Sequence, residues 1–75
     1  MDLENKHFGQ GILIEGECLI ENEYVNENSL ILLTKQSSHN SLGVVSVSHK
    51  EKGKFLIKSS YYHDSDYVAY LILNF

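Results

Sequence analysis

The sequence predicts an all-β domain, a small antiparallel β-sandwich of about six or seven strands. Three observations lead there. Short runs rich in Ile, Leu, Val, Tyr and Phe recur along the chain, and Gly, Asn, Ser and Asp punctuate them while proline is absent. Where a run alternates, it does so with period two, as a half-buried strand requires. Across residues 44–58 the apolar residues do not keep the three-to-four spacing of an amphipathic helix.

The expected strands follow in order. Residues 12–14 and 18–20 are short apolar runs set among Glu15, Glu17, Glu21, Glu23 and Glu27, whose alternation suggests the solvent face of a strand. Cys18, the single cysteine, lies between acids that would raise its thiol pKa, and reads as a small core residue. Residues 30–34 form the next run. In residues 44–48, Val45 and Val47 share one face with His49, while Ser46, Ser48 and Lys50 take the other. Lys50-Glu51-Lys52-Gly53-Lys54 is a tight polar turn in which Gly53 is free to take positive φ, and it leads into the strand over 55–58. The last strand spans 67–73.

Two of these runs are apolar on both faces: Leu30-Ile31-Leu32-Leu33 and Val68-Ala69-Tyr70-Leu71-Ile72-Leu73. A sandwich gives each strand one inner and one outer face, so the second apolar face needs another chain; the alternative for 67–74 is a buried helix. Length leads to the same expectation. A 75-residue chain buries only about 60% of the surface that its unfolded form exposes, so domains this small usually rely on a disulfide, a metal or partner chains. One cysteine allows no internal disulfide.

Composition excludes several functions. No apolar run approaches the roughly 20 residues of a membrane-spanning helix, and the first residues lack the basic and apolar regions of a secretory signal, so no membrane partner and no export are expected. With six lysines, no arginine and a net charge of −4, nucleic acid is not an expected partner. Charge is uneven, since residues 1–33 carry seven acids and one lysine whereas 34–75 carry three acids and five lysines. Such asymmetry describes either two solvated ends or complementary packing between subunits.

The order of the punctuation is itself distinctive. GILIEGECLIENEYVNENSLILLTKQ (11–36), LGVVSVSHKEKGKFLIKSS (42–60) and DSDYVAYLILNF (64–75) together resemble the small β-structured terminal domain of bacteriophage tail fibres, tailspikes and head fibres. Asn28-Ser29, Leu33-Thr34, Gly43, Val47-Ser48, Gly53, Phe55, Ile57, Ser59-Ser60, Asp66, Val68-Ala69-Tyr70 and Ile72 occupy the places of that family's pattern. Members often carry a tryptophan where Tyr70 stands and an arginine in the central strand. The resemblance implies a homotrimer, and the two doubly apolar strands supply its expected interface: Leu30, Leu32, Val68, Tyr70 and Ile72. The polar segment before the first strand is expected to be an N-terminal arm, 1–10, with Leu3 and Phe8 as virion anchors, followed by one β-sandwich domain, 11–75. Because ten residues precede Gly11, a free-standing virion component is expected: a head decoration, head fibre or small tail accessory protein, made in the host cytoplasm and bound to a capsid or tail protein.

Chemical sites are few. His7, His39, His49 and His63 lie ten or more residues apart, so no intrachain zinc site is expected; His49, on the apparent core face, is the copy that a symmetric oligomer would gather at an axis. Ser38, His63 and Asp66 form a hydrolytic triad only on paper, because no nucleophile-elbow sequence accompanies them. Tyr61-Tyr62-His63-Asp64-Ser65-Asp66 is the most chemically loaded segment. Adjacent tyrosines beside carboxylates in a loop can stack on a sugar ring and bond its hydroxyls, so Tyr61, Tyr62, His63 and Asp64, with His39 on the 37–41 loop, are the candidate ligand contacts. Alternatively, the aspartates only close a turn. The expected function is a non-enzymatic virion structural protein with no cofactor. The alternative is a carbohydrate-binding adhesin module that contacts a host surface glycan.

Overall fold

A computed structural model describes residues 7–36 and 43–74, which form six antiparallel strands and no helix. They are β1 (Phe8–Ile12), β2 (Glu17–Glu21), β3 (Leu30–Gln36), β4 (Val45–Glu51), β5 (Lys54–Ser59) and β6 (Tyr67–Leu73). One sheet has the order β1-β6-β3 and the other β2-β5-β4. The expected all-β architecture is therefore present, and 67–73 is a strand, not a helix.

The core lies between the sheets. Leu13, Val25, Phe55, Ile57, Val68 and Ile72 are fully buried, with Cys18, Ile20, Ile31, Leu33, Val45, Val47 and Tyr70 packed around them. The Phe55 and Tyr70 rings meet edge to face at 5.3 Å, joining the two central strands. Cys18 lies on the inner face of β2. Burial pushes its thiol pKa up, opposed by a hydrogen bond from the Ile12 backbone; desolvation therefore suffices to explain a raised thiol without the flanking acids.

Four expectations need correction. The first strand covers 8–12 instead of 12–14, so Phe8 belongs to the sheet and not to an arm; Leu3 lies outside the described residues. The sequence hides this strand because its inner positions are Gly9 and Gly11. A Cβ on Gly9 would come within 2.6 Å of the Tyr70 hydroxyl, and one on Gly11 within 2.6 Å of Cys18 Sγ, so the missing side chains make room for neighbours that fold over the strand. Second, β4 has a bulge between Val47 and His49, and Ser48 is the residue without a register partner. The extra residue reverses the alternation: His49 faces solvent, with its side chain 64% exposed, and Lys50 turns inward.

The third correction concerns the doubly apolar strands. Val68 and Ile72 fill the chain's own core and Tyr70 packs against it, so these three are not on an outer face. The opposite face of β6 carries Tyr67, Ala69, Leu71 and Leu73, beside Leu30 and Leu32 on β3 and Phe8 and Ile12 on β1. Register sets Phe8, Leu71 and Leu32 in one row, with Leu73 opposite Leu30. Phe8, Ile12, Leu30, Leu32 and Tyr67 remain nearly half exposed. The fourth correction, of Asp64, belongs to the site.

The hairpin of β4 and β5 turns at Lys52 and Gly53, with Gly53 at φ 89°. Gly53 N–H donates to Val25 O and its carbonyl accepts from Asn22 N–H, which fastens this turn to the β2–β3 connection.

Candidate functional site

Strand direction brings three connections to one end of the sandwich. β1–β2, β3–β4 and β5–β6 each cross from one sheet to the other there, because Gln36 at the end of β3 lies opposite Tyr67 at the start of β6. Their polar groups must find partners away from the sheet ladders.

Lys35 supplies the centre. Period-two alternation puts it on the inner face of β3 behind Ile31 and Leu33, where an unpaired ammonium would be costly. Its Nζ lies 2.6 Å from Asp64 Oδ2 and 3.5 Å from Asp66 Oδ2, and donates to Gly43 O at 2.8 Å. Ser59 Oγ donates to Asp64 Oδ2 at 2.6 Å, and Asp66 N–H to Asp64 Oδ1 at 3.1 Å. Burial alone would raise the Asp64 pKa, but Lys35, Ser59 and the Asp66 amide favour the carboxylate and bring it from 3.8 to about 2. A Cβ on Gly43 would overlap Ser59 Oγ and Asp64 Oδ2, so only glycine lets the β3–β4 connection pass so close.

Asp64 is therefore a buried structural anion, 1% exposed, and not a ligand contact. The turn-closing alternative holds for it, with Lys35 as the partner that the strand pattern alone could have exposed. Asp66 is likewise buried, while His63 is exposed on the same loop; Ser38 lies outside the described residues.

Beside this cluster lies an open cleft of about 470 Å³, lined by Ile14, Glu15, Gly16, Glu17, Lys58, Ser59, Ser60 and Tyr62. One wall is a two-residue turn closed by Ile14 N–H to Glu17 O at 2.9 Å and Glu17 N–H to Ile14 O at 3.1 Å. Both central residues have positive φ, 53° at Glu15 and 77° at Gly16, the signature of a type I′ turn. Gly16 N–H donates to Asp64 O at 3.2 Å and its carbonyl accepts from Ser59 N–H at 2.7 Å, which locks the turn against the 61–64 loop. Glu17 lies opposite Lys58 in the ladder, and their charges pair at 3.3 Å.

Of the tyrosines expected to contact ligand, Tyr61 is 41% and Tyr62 62% exposed, and only Tyr62 lines the cleft. His63 stands edge-on to both rings, at 5.6 and 5.3 Å. His39 lies outside the described residues. Among the described residues, no group of three or more His, Cys, Asp or Glu side chains is placed to hold a metal ion. Sequence reasoning did not join Glu15, Glu17 and Lys58 to the tyrosine loop, because their meeting depends on which connections share an end.

Comparison with known families bears on this arrangement. Residues 5–73 match the family described as K1 capsule-specific polysaccharide lyase, C-terminal domain. The chain belongs to that family. The membership agrees with the coarser part of the sequence resemblance, a β-structured terminal domain associated with phage tails. The family is named for the C-terminal domain of a lyase, and the name alone assigns no catalysis to it. No curated protein matches the chain.

Proposed function

We propose that this K1-lyase-type C-terminal domain is a non-enzymatic structural module of a phage virion, positioned on the tail and working as a homotrimer. The observation that carries the reading is the outer face of the β1-β6-β3 sheet, where Phe8, Ile12, Leu30, Leu32 and Tyr67 surround Ala69, Leu71 and Leu73. Large contiguous apolar patches mark interaction surfaces. Covering the remaining half of such a side chain contributes on the order of 1 kcal/mol, and three copies closing around this face would provide the burial that one small chain lacks.

Family membership supports the tail over the head, and the virion as location. Association through Leu30 and Leu32 keeps part of the expected interface; Leu71, Leu73, Phe8 and Tyr67 take the places of Val68, Tyr70 and Ile72. Native mass spectrometry of the whole chain at micromolar concentration tests the assembly, with a trimer expected. Detection of the protein in purified particles tests the location, and its absence from them would remove the virion reading.

A further inference from the structure

We propose that copies of this chain join edge to edge, the open edge of β1 in one copy pairing in parallel with the open edge of β3 in the next. The proposal rests on the reading of the chain as a homotrimer and adds to it which strands meet and which backbone groups hold them.

β1 and β3 are the outer strands of their sheet, and both run antiparallel to β6, so they run parallel to each other. Leu13 N–H donates to Asp66 O at 3.0 Å, one step beyond the last β1–β6 pair, and this fixes the phase of the ladder. Bonded and non-bonded pairs alternate, so Gly9 and Gly11 bond β6 while Phe8 and Gln10 turn their N–H and C=O to the open side. The same count carried across β6 leaves Leu30, Leu32 and Thr34 bonded to it and turns Ile31 and Leu33 outward. Among the described residues, no backbone group outside the sheet bonds Phe8, Gln10, Ile31 or Leu33.

These two edges lack what keeps strands apart. Charged side chains and bulges blunt an open edge, and the other sheet has both: Glu17 and Glu21 on β2, and a bulge with His49 and Glu51 on β4. β1 carries no charged residue, and the single charge on β3, Lys35, turns inward to Asp64. Neither strand breaks register with β6.

The edges also fit each other. In a parallel ladder, a residue that bonds the neighbouring strand through its own N–H and C=O sits opposite one that does not, and both side chains share a face. The open groups of β1 belong to outer-face residues and those of β3 to inner-face residues, so pairing joins outer face to outer face. With Gln10 beside Leu32 of the next copy, Gln10 N–H donates to Ile31 O and Gln10 O accepts from Leu33 N–H. The apolar rows of the two copies then run into one another. Because β1 meets β3 and not itself, the contact is head-to-tail, and a three-fold rotation closes it with no edge of this sheet left open.

Residue-resolved amide hydrogen exchange on the full chain, wild type against the Leu32→Lys and Leu71→Lys double variant, tests the pairing. Gln10, Ile31 and Leu33 N–H are expected to exchange about tenfold or more slowly in the wild type, while the amides of β2 keep the same rates in both. Gln10→Pro removes an edge N–H at a position where an edge strand accepts proline, and should leave a folded monomer by circular dichroism and native mass spectrometry; Gln10→Ala should remain a trimer. A trimer in which those three amides exchange as fast as in the double variant, or a Gln10→Pro trimer, would overturn the edge pairing and leave the trimer standing. The exchange comparison decides the matter even where Gln10→Pro does not fold. A wild-type monomer would overturn both.

Discussion

The two sheets share one core but treat their outer faces in opposite ways. On β2-β5-β4 the outer positions are charged rows: Glu17 pairs with Lys58, and Glu51 lies 3.2 Å from Lys54 and 3.7 Å from His49. The Leu19 and Leu56 pair and the uncharged Ser46 and Ser48 interrupt them. On β1-β6-β3 the outer rows are Phe8, Leu71 and Leu32, then Leu73 and Leu30, with Ile12 and Tyr67 at the other end. The contrast separates a charged face from an apolar one, and the proposed assembly rests on the second. A face carrying lysines and glutamates in register disfavours association, whereas an apolar face favours it.

The sharpest way to break the contrast is to exchange the character of the faces. Leu32→Lys with Leu71→Lys places two ammonium groups in the apolar rows and should abolish association, leaving an 8.6 kDa species by light scattering. Leu19→Lys, flanked by Glu17 and Glu21 on the other face, should leave the assembly intact.

Lysine position provides the next test. Lys35 points into its sheet and meets two buried aspartates, so Lys35→Met strands the Asp64 carboxylate and should cost about 3–5 kcal/mol in urea unfolding. Lys58 pairs with Glu17 at the surface, and Lys58→Met should change stability by no more than about 0.5 kcal/mol. Equal effects from the two substitutions would mean that the Lys35 cluster does not hold the end of the sandwich.

Acid titration should produce a smaller effect with a definite sign. Because Asp64 has a folded pKa depressed from 3.8 to about 2, its contribution is fully present above pH 4 and is lost as pH falls from about 4 toward 2. The loss should be about 2 kcal/mol, read from urea midpoints across that range, and Asp64→Asn should remove this part of the pH dependence.

How much of this was legible follows from the physics of each element. The β4–β5 hairpin is written plainly, with alternating valines and serines, a polar turn and a glycine. That strand 67–73 is apolar on both faces is equally plain, but such a run carries no parity, so Val68, Tyr70 and Ile72 could not be told from Leu71 and Leu73 until the partner strands fixed them. β1 is hidden in the sequence because two glycines stand where apolar side chains would announce a strand. His49 shares the parity of Val45 and Val47 yet faces solvent, because one inserted residue, Ser48, reverses the positions after it. Lys35 was within reach, since it shares a face with Ile31 and Leu33 and needs anions that Asp64 and Asp66 supply. The cleft was not, since it forms only where connections distant in sequence share one end.

The central claim is that the apolar outer face of β1-β6-β3 is covered by other copies of the chain. Native mass spectrometry of the intact protein across a micromolar dilution series tests it most directly. The account predicts a trimer that persists on dilution and disappears in the Leu32→Lys and Leu71→Lys double variant. A wild-type protein that is a stable, folded monomer throughout the series would contradict it.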